Sequence, residues 1–441
     1  MRNAKGPGGG SLADLLHSGR LEAFLSFAGD WPAEFVVKPE RLDAGIEPDT
    51  AKDDSDPEDA MSSAAKASAV PDQGLLSLRE QICAHMAAQC IAAEPDEVIV
   101  TATPQAAIAL IVCALLQPGD TVLVGERTHP GSLAVFRQAK LRVVPVAFDD
   151  EGMDAADLER LAERHQPKLV YTMPTIGVPD ATIWSEERRL ALLACSRRYG
   201  MLVVEDDPYG WLRFEGAFGN ATTSTVPPSP APSAVQPPAA QLSTSQPSAW
   251  HSPVPALFEL DRRNGGGGVL YASTFAAMLG PQASAGWIAS SRADVMARLA
   301  NAKPAGRAEP VEQQAQRKLE RLLRHCGLER HAHTVRMSVA SRMHRMQDLL
   351  SRQGLSGVAW HEPPGGMFLW VELPPGLDAE ALLRCAAAKR VTFDIGAPFY
   401  AGHPERNRIR LNVANLPEAR MAEGVARFAE AVNEFLGRSS T

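Results

Sequence analysis

From about Leu78 onward, short apolar runs alternate with longer stretches in which apolar residues return at helical spacing. The runs are Val98 to Thr101, Val122 to Val124, Val143 to Val146, Leu169 to Thr172 and Leu202 to Glu205. Between them, Leu78 to Ala92, Ala155 to His165 and Glu186 to Tyr199 carry the helical period, and a further helix opens around Pro104 and Gln105, where proline suits a first turn. This alternation predicts a mainly parallel sheet with helices on both faces. In such sheets the ligand crevice lies beyond the carboxyl ends of the strands, so the residues that follow each run are the first candidates for chemistry.

Two stretches break the pattern. Ala51 to Gly74 is acidic and rich in Ala and Ser, and Thr222 to Trp250 reads TTSTVPPSPAPSAVQPPAAQLSTSQPSAW, a low-complexity composition that cannot bury a core. The regular pattern resumes near Leu257, with strands expected at Val269 to Ala272 and around Trp287 to Ala289 and helices running to about Leu350. Strands at Met367 to Leu373 and Ile409 to Val413 and a helix from Glu418 to Leu436 then suggest a small α+β domain. The expected division is residues 1–74 as a tail and arm belonging to the small domain, 75–305 as the large domain with a disordered insert at 217–253, and 306–441 as an interdomain helix and the small domain.

Composition narrows the classes of function. Of the 441 residues 45% are hydrophobic, enough for a large core. The formal net charge of −8 comes from interleaved acids and bases, with no basic stripe for nucleic acid and no polybasic tract for a membrane surface. The six cysteines are scattered without a CxxC or Cys/His ligand spacing, so no metal site is expected. That charge pattern leaves a small-molecule pocket or a protein partner as the expectation, and no leader-like or membrane-length apolar run occurs, which points to the cytoplasm.

Several segments resemble, in order, the class I/II aminotransferases of fold type I, especially the aminotransferase part of the MocR-type regulators. They are LREQICAHMAAQC, PGDTVLVGERTHPG, SEERRLALLACSRRYGMLVVEDDPYGWLRFEG, YASTFAAMLGPQASAGWI, PPGGMFLWVELP and RIRLNVA. No winged-helix segment precedes the match. The resemblance implies an α/β fold with a mainly parallel seven-stranded sheet in a large domain and a smaller α+β domain. It also implies a homodimer and a pyridoxal phosphate site.

That site can be compared residue by residue. The family block S-T-F-S-K-x-L-x-P-G-L-R-x-G-W reads here Ser273-Thr274-Phe275-Ala276-Ala277-Met278-Leu279-Gly280-Pro281-Gln282-Ala283-Ser284-Ala285-Gly286-Trp287. The resemblance therefore places Ala277 where the Schiff-base lysine belongs and Ser284 where an arginine clamps the cofactor phosphate. Val178 takes the place of the asparagine that bonds the ring oxygen. At the phosphate-binding helix start, Thr103 and Pro104 precede Gln105, and proline has no amide hydrogen to offer. Thr274 fits a phosphate-contacting hydroxyl. Asp206 fits the partner of the pyridinium, Tyr209 the tyrosine at the ring oxygen, His129 the aromatic stacked on the ring, and Arg410 the holder of a substrate carboxylate.

Without an amine at Ala277, the expectation is that no cofactor is bound covalently and that pyridoxal phosphate binds at most weakly and non-covalently. Three functions remain open. The first is a repurposed, cofactor-independent enzyme in which Arg410 binds a small carboxylate or amino-acid-like ligand and Asp206, Tyr209 or His129 acts as acid or base. The second is a non-catalytic pseudoenzyme that binds a ligand or a partner. The third is a pyridoxal-phosphate-binding enzyme of the ordinary family kind.

Overall fold

The computed structural model describes residues 24–30, 73–214, 254–280, 283, 285–303 and 310–439. The proposed insert at 217–253, most of the stretch up to Gly74, and Ser284 lie outside the described residues.

The strands, in chain order, are β1 (Leu25–Ser26), β2 (Val98–Thr101), β3 (Thr121–Gly125), β4 (Arg142–Val146), β5 (Phe148–Asp149), β6 (Gly152–Met153), β7 (Leu169–Thr172) and β8 (Leu202–Asp206). They continue as β9 (Val269–Thr274), β10 (Gly286–Ala289), β11 (Ala359–Trp360), β12 (Phe368–Glu372), β13 (Val391–Thr392), β14 (Asp394–Ile395) and β15 (Arg408–Asn412). The helices used below are α1 (Leu76–Ala88), α2 (Pro104–Leu115), α3 (Pro130–Gln138), α4 (Ala155–His165), α5 (Glu186–Tyr199), α6 (Leu257–Arg263) and α7 (Ala276–Leu279).

Seven strands form the main sheet in the order β2-β10-β9-β8-β7-β3-β4. Every residue of β2, β3, β7 and β9 is buried, as expected of strands covered on both faces, and this is why they read as continuous apolar runs without alternation. The pairs from β4 through β9 are parallel, whereas β10 runs antiparallel to both β9 and β2. The run of apolar residues in β10 carries no mark of direction. Its connection does: the segment between Thr274 and Gly286 is short of the dozen or more residues a parallel crossover needs, so the chain turns back on itself.

Local chemistry fixes the helix ends. Thr103 caps α2 by accepting the Ala106 N–H at 3.1 Å, with Pro104 as the first helical residue. Ser185 caps α5 in the same way, and Gly200 ends α5 in the left-handed conformation at φ +66°.

The second sheet, β11-β12-β15-β14, is antiparallel and places Arg410 of β15 opposite Asp394 of β14 and Trp370 of β12. β1 runs parallel to β13, so the N-terminal segment is tied to the C-terminal part of the chain, with Leu25 and Phe27 fully buried there. Among the described residues, no helix is long and apolar enough to cross a membrane.

Candidate active site

β8 ends in Glu205 and Asp206, with Asp207 just after it, and the alternation of the extended chain sends these acids to different places. Glu205 is fully buried, accepts the Leu257 and Phe258 N–H groups at 3.0 and 2.9 Å, and lies 3.6 Å from the equally buried Arg189. It anchors the start of α6. Asp207 is buried beside Tyr271, whose hydroxyl donates to it at 3.2 Å. Asp206 projects to the other face, where the Tyr171 hydroxyl donates to its Oδ2 at 2.5 Å, and Ser132 Oγ lies 3.0 Å from the same tyrosine oxygen. Burial pushes the Asp206 carboxyl up to about 7, with the tyrosine hydrogen bond acting in the opposite sense.

Arg410 forms the second focus. Its guanidinium is sandwiched between two rings, 4.0 Å from the centroid of Phe368 and 4.6 Å from that of Phe399. Nη2 donates to Asp30 Oδ1 at 2.6 Å and to Asp394 Oδ2 at 2.7 Å, and Nε donates to the same Asp394 oxygen at 3.1 Å. Nη1 is buried and has no hydrogen-bond partner among the described residues. Burial works against the cation, but Asp30 and Asp394 more than offset this, so its pKa lies above the ordinary value. A cavity of about 330 Å³ opens here, lined by Arg410, Asp30, Asp394, Gln105, His129 and Gly131 among others. Burial holds His129 below the ordinary histidine range, opposed by Asp30 and reinforced by Arg410. At this cavity the imidazole is therefore neutral near pH 7.

Tyr209 joins the two foci. It is buried, its ring meets Phe368 edge to face at 5.5 Å, and its phenol is raised by burial and by the field of Asp30, with Asp206 and Asp394 adding to the rise and Arg410 opposing it. Thus His129, Gln105 and Arg410 line one cavity, Tyr209 packs on the Phe368 ring that stacks on Arg410, and neither Tyr209 nor Asp206 is among the lining residues.

The remaining candidates lie apart. Ala277 is buried in α7, 3% exposed. The Thr274 hydroxyl donates to the Ala285 carbonyl at 2.9 Å and accepts the Ala276 N–H at 3.0 Å. Thr103 and Thr274 come together around Gly286, which pairs with Thr274 and whose missing Cβ would sit 3.0 Å from the Thr103 carbonyl oxygen. Val178 is buried on a cis bond to Pro179 and lines a separate, smaller space with Tyr171, Arg127 and Asp180, the last two paired at 2.9 Å.

Sequence reasoning did not single out Tyr171, Asp30, Asp394, Phe368 or Phe399. Tyr171 stands next to the end of its strand, so a search of strand ends extended inward by one residue would have included it. The others depend on the pairing of β14 with β15 and on the docking of the N-terminal segment, neither of which leaves a local trace.

A crevice at the carboxyl ends of a mainly parallel sheet, with an arginine from a second sheet facing it, defines an α/β enzyme-like class of protein. The chain belongs to the class I and II aminotransferase family, whose sequence model matches residues 47–428. It is 29% identical over 427 residues to the 2-aminoadipate transaminase of Thermus thermophilus, covering 97% of this chain and 94% of that protein. It is 26% identical over 430 residues to the uncharacterized HTH-type transcriptional regulator YdcR of Escherichia coli, covering 96% of this chain and 80% of the regulator. Among solved structures it resembles LysN, the alpha-aminoadipate aminotransferase of Thermus thermophilus complexed with N-(5'-phosphopyridoxyl)-L-leucine. The TM-score is 0.74 at 28% identity, with 95% of this chain and 94% of that one covered.

These relatives correct one expectation. A chain with no cofactor, or with pyridoxal phosphate bound at most weakly, was expected from Ala277, Ser284, Val178 and Thr103. The relative that aligns along nearly the whole chain holds a phosphopyridoxyl amino acid, which points to pyridoxal phosphate. The expectation took the four changed positions together as the loss of the site, whereas a cofactor is also held by contacts outside those four positions, and anchor losses do not simply add.

Proposed function

We propose that this chain is an enzyme acting on a small amino or keto acid, with pyridoxal phosphate as its cofactor, at the crevice that joins Asp206, Tyr209, His129 and Arg410. The observation that carries the reading is the stack in which Tyr209, three residues beyond Asp206 at the end of β8, meets Phe368 edge to face at 5.5 Å while the Arg410 guanidinium lies 4.0 Å from the same ring. A carboxylate for a ring nitrogen and a guanidinium for a substrate carboxylate are thereby linked through adjoining side chains.

The described residues suit the ring. Asp206 is a carboxylate raised by burial and without a cationic partner among the described residues, and a pyridinium N–H would supply the charge that returns it to the ionised form. The start of α2, with the Thr103 hydroxyl and Gln105, is the place proposed for a phosphate, while the Thr274 hydroxyl already donates to the Ala285 carbonyl. When bound, pyridoxal phosphate supplies an electron sink for chemistry at the α-carbon of an amino acid. The chain's own residues do the rest. Asp206 would hold the proton of a ring nitrogen, the Tyr209 hydroxyl would be the donor for a ring oxygen, Arg410 would orient a carboxylate, and Phe368 and Phe399 shield that guanidinium from water. His129, neutral at the cavity, is the group able to accept a proton there. By the same resemblance Ala277 stands at the lysine position. It offers a methyl group, so no bond to residue 277 is included in this reading. A homodimer in the cytoplasm is proposed with it, on the family resemblance.

Titrating the purified chain with pyridoxal phosphate, followed by absorbance and calorimetry, is expected to give saturable binding, and Asp206→Asn is expected to weaken it about ten-fold or more. Amino transfer is then assayed with 2-aminoadipate and aromatic amino acids as donors. No saturation up to millimolar cofactor would refute the proposal. A second reading, a ligand-binding protein of this fold without turnover, is favoured by Ala277 alone. Bound cofactor with no transfer from any donor supports that reading instead.

A further inference from the structure

We infer that Asp30 is the specificity-determining residue at the Arg410 end of the cavity: its carboxylate holds the place of an incoming one, and a carboxylate ligand binds only in exchange with it. This rests on the reading of Arg410 as the group that takes a ligand carboxylate.

The two acids on Arg410 are not equivalent. Asp394 sits on the neighbouring strand in register with Arg410, takes two of its N–H groups at one oxygen, and accepts the Gly29 N–H at 3.2 Å with that same oxygen. It is the arginine's standing partner. Asp30 comes from outside the sheet, makes a single bond of 2.6 Å, and keeps 41% of its side chain exposed, against 25% for Asp394. It is the one that can swing into water at small cost.

With both acids in place, two carboxylates face one guanidinium, and the neutral His129 adds no positive charge. A third carboxylate arriving at the cavity is repelled by this excess and finds Nη2 already taken, while Nη1 of Arg410 still lacks an acceptor. Removing the Asp30 charge leaves the Asp394 pair intact and frees Nη2 for a bidentate contact that uses Nη1 as well. The wild-type residue therefore biases the cavity against plain carboxylates, and a ligand enters well only when its remaining contacts compensate for displacing Asp30.

The test is calorimetric titration of the full chain with glutarate, a carboxylate probe, in the wild type and in Asp30→Asn, Asp30→Glu and Arg410→Gln, with circular dichroism to confirm folding. Asp30→Asn is expected to bind glutarate about ten-fold more tightly than wild type, and Asp30→Glu, which keeps the charge, is expected to show no such gain. Equal affinities in wild type and Asp30→Asn, with binding lost in Arg410→Gln, would overturn the role of Asp30 and leave Arg410 as the carboxylate site. Binding that survives Arg410→Gln, or no binding in any folded variant, overturns both.

Discussion

At the residue scale, the acids that end β8 show how one step along a strand separates structural from chemical work. Glu205 and Arg189 are sealed together under α6, while Asp206 projects to the opposite face, where Tyr171 is its hydrogen-bond donor among the described residues. The Asp206 carboxyl is raised from 3.8 to about 7, so the folded chain binds this proton more tightly than the unfolded chain does. Its contribution to stability is complete below pH 3.8, is lost as pH rises toward 7, and becomes a constant penalty above that. Denaturant melts of the cofactor-free protein across this window should show a decline that flattens in Asp206→Asn, by at most about 4 kcal/mol. An unchanged slope in the variant would remove Asp206 as its source. The position of Asp206 was legible because it ends a recognisable apolar run. Its partner was not, because the contact requires β7 to be the neighbour of β8, which the sequence does not state.

At the element scale, strands and helices were legible where period and punctuation agreed. Helices α4 and α5 match their expected spans to the residue, since Asp154 and Ser185 cap them and apolar spacing runs between. The direction of β10 was not legible, because a buried strand reads alike in both directions and only the brevity of its connection decides. The start of α2 allows a direct test. Thr103 is both its N-cap and a proposed phosphate contact, so Thr103→Ala should cost about 1 kcal/mol in denaturant stability and weaken pyridoxal phosphate binding as well. A stability loss with unchanged cofactor affinity would confine Thr103 to capping.

At the scale of the whole molecule, the N-terminal segment is part of the C-terminal layer. Phe27 is 1% exposed, its carbonyl accepts the Asn412 N–H at 2.7 Å, and its ring fills the space beside Gly424, where a Cβ would come within 2.6 Å of it. Phe27→Ala is expected to cost about 3 to 5 kcal/mol and to loosen the hold of Asp30 on Arg410, read as a lower melting temperature together with tighter glutarate binding. A change in neither would show that the segment docks without contributing. An N-terminal arm belonging to the small domain was expected, but the strap it forms was not: the pairing of β1 with β13 and the contact of Asp30 with Arg410 join partners hundreds of residues apart.

The strap also orders events during synthesis. Asp30 and Arg410 are 380 residues apart, which at about 5 to 20 residues per second separates their emergence from the ribosome by roughly 20 to 80 s. All seven strands of the main sheet have been made by Ala289, so a nascent chain can hold a nearly complete large layer while the arginine, both of its ring neighbours and Asp394 do not yet exist. A message cut short in that interval encodes every strand of the main sheet but no ligand clamp.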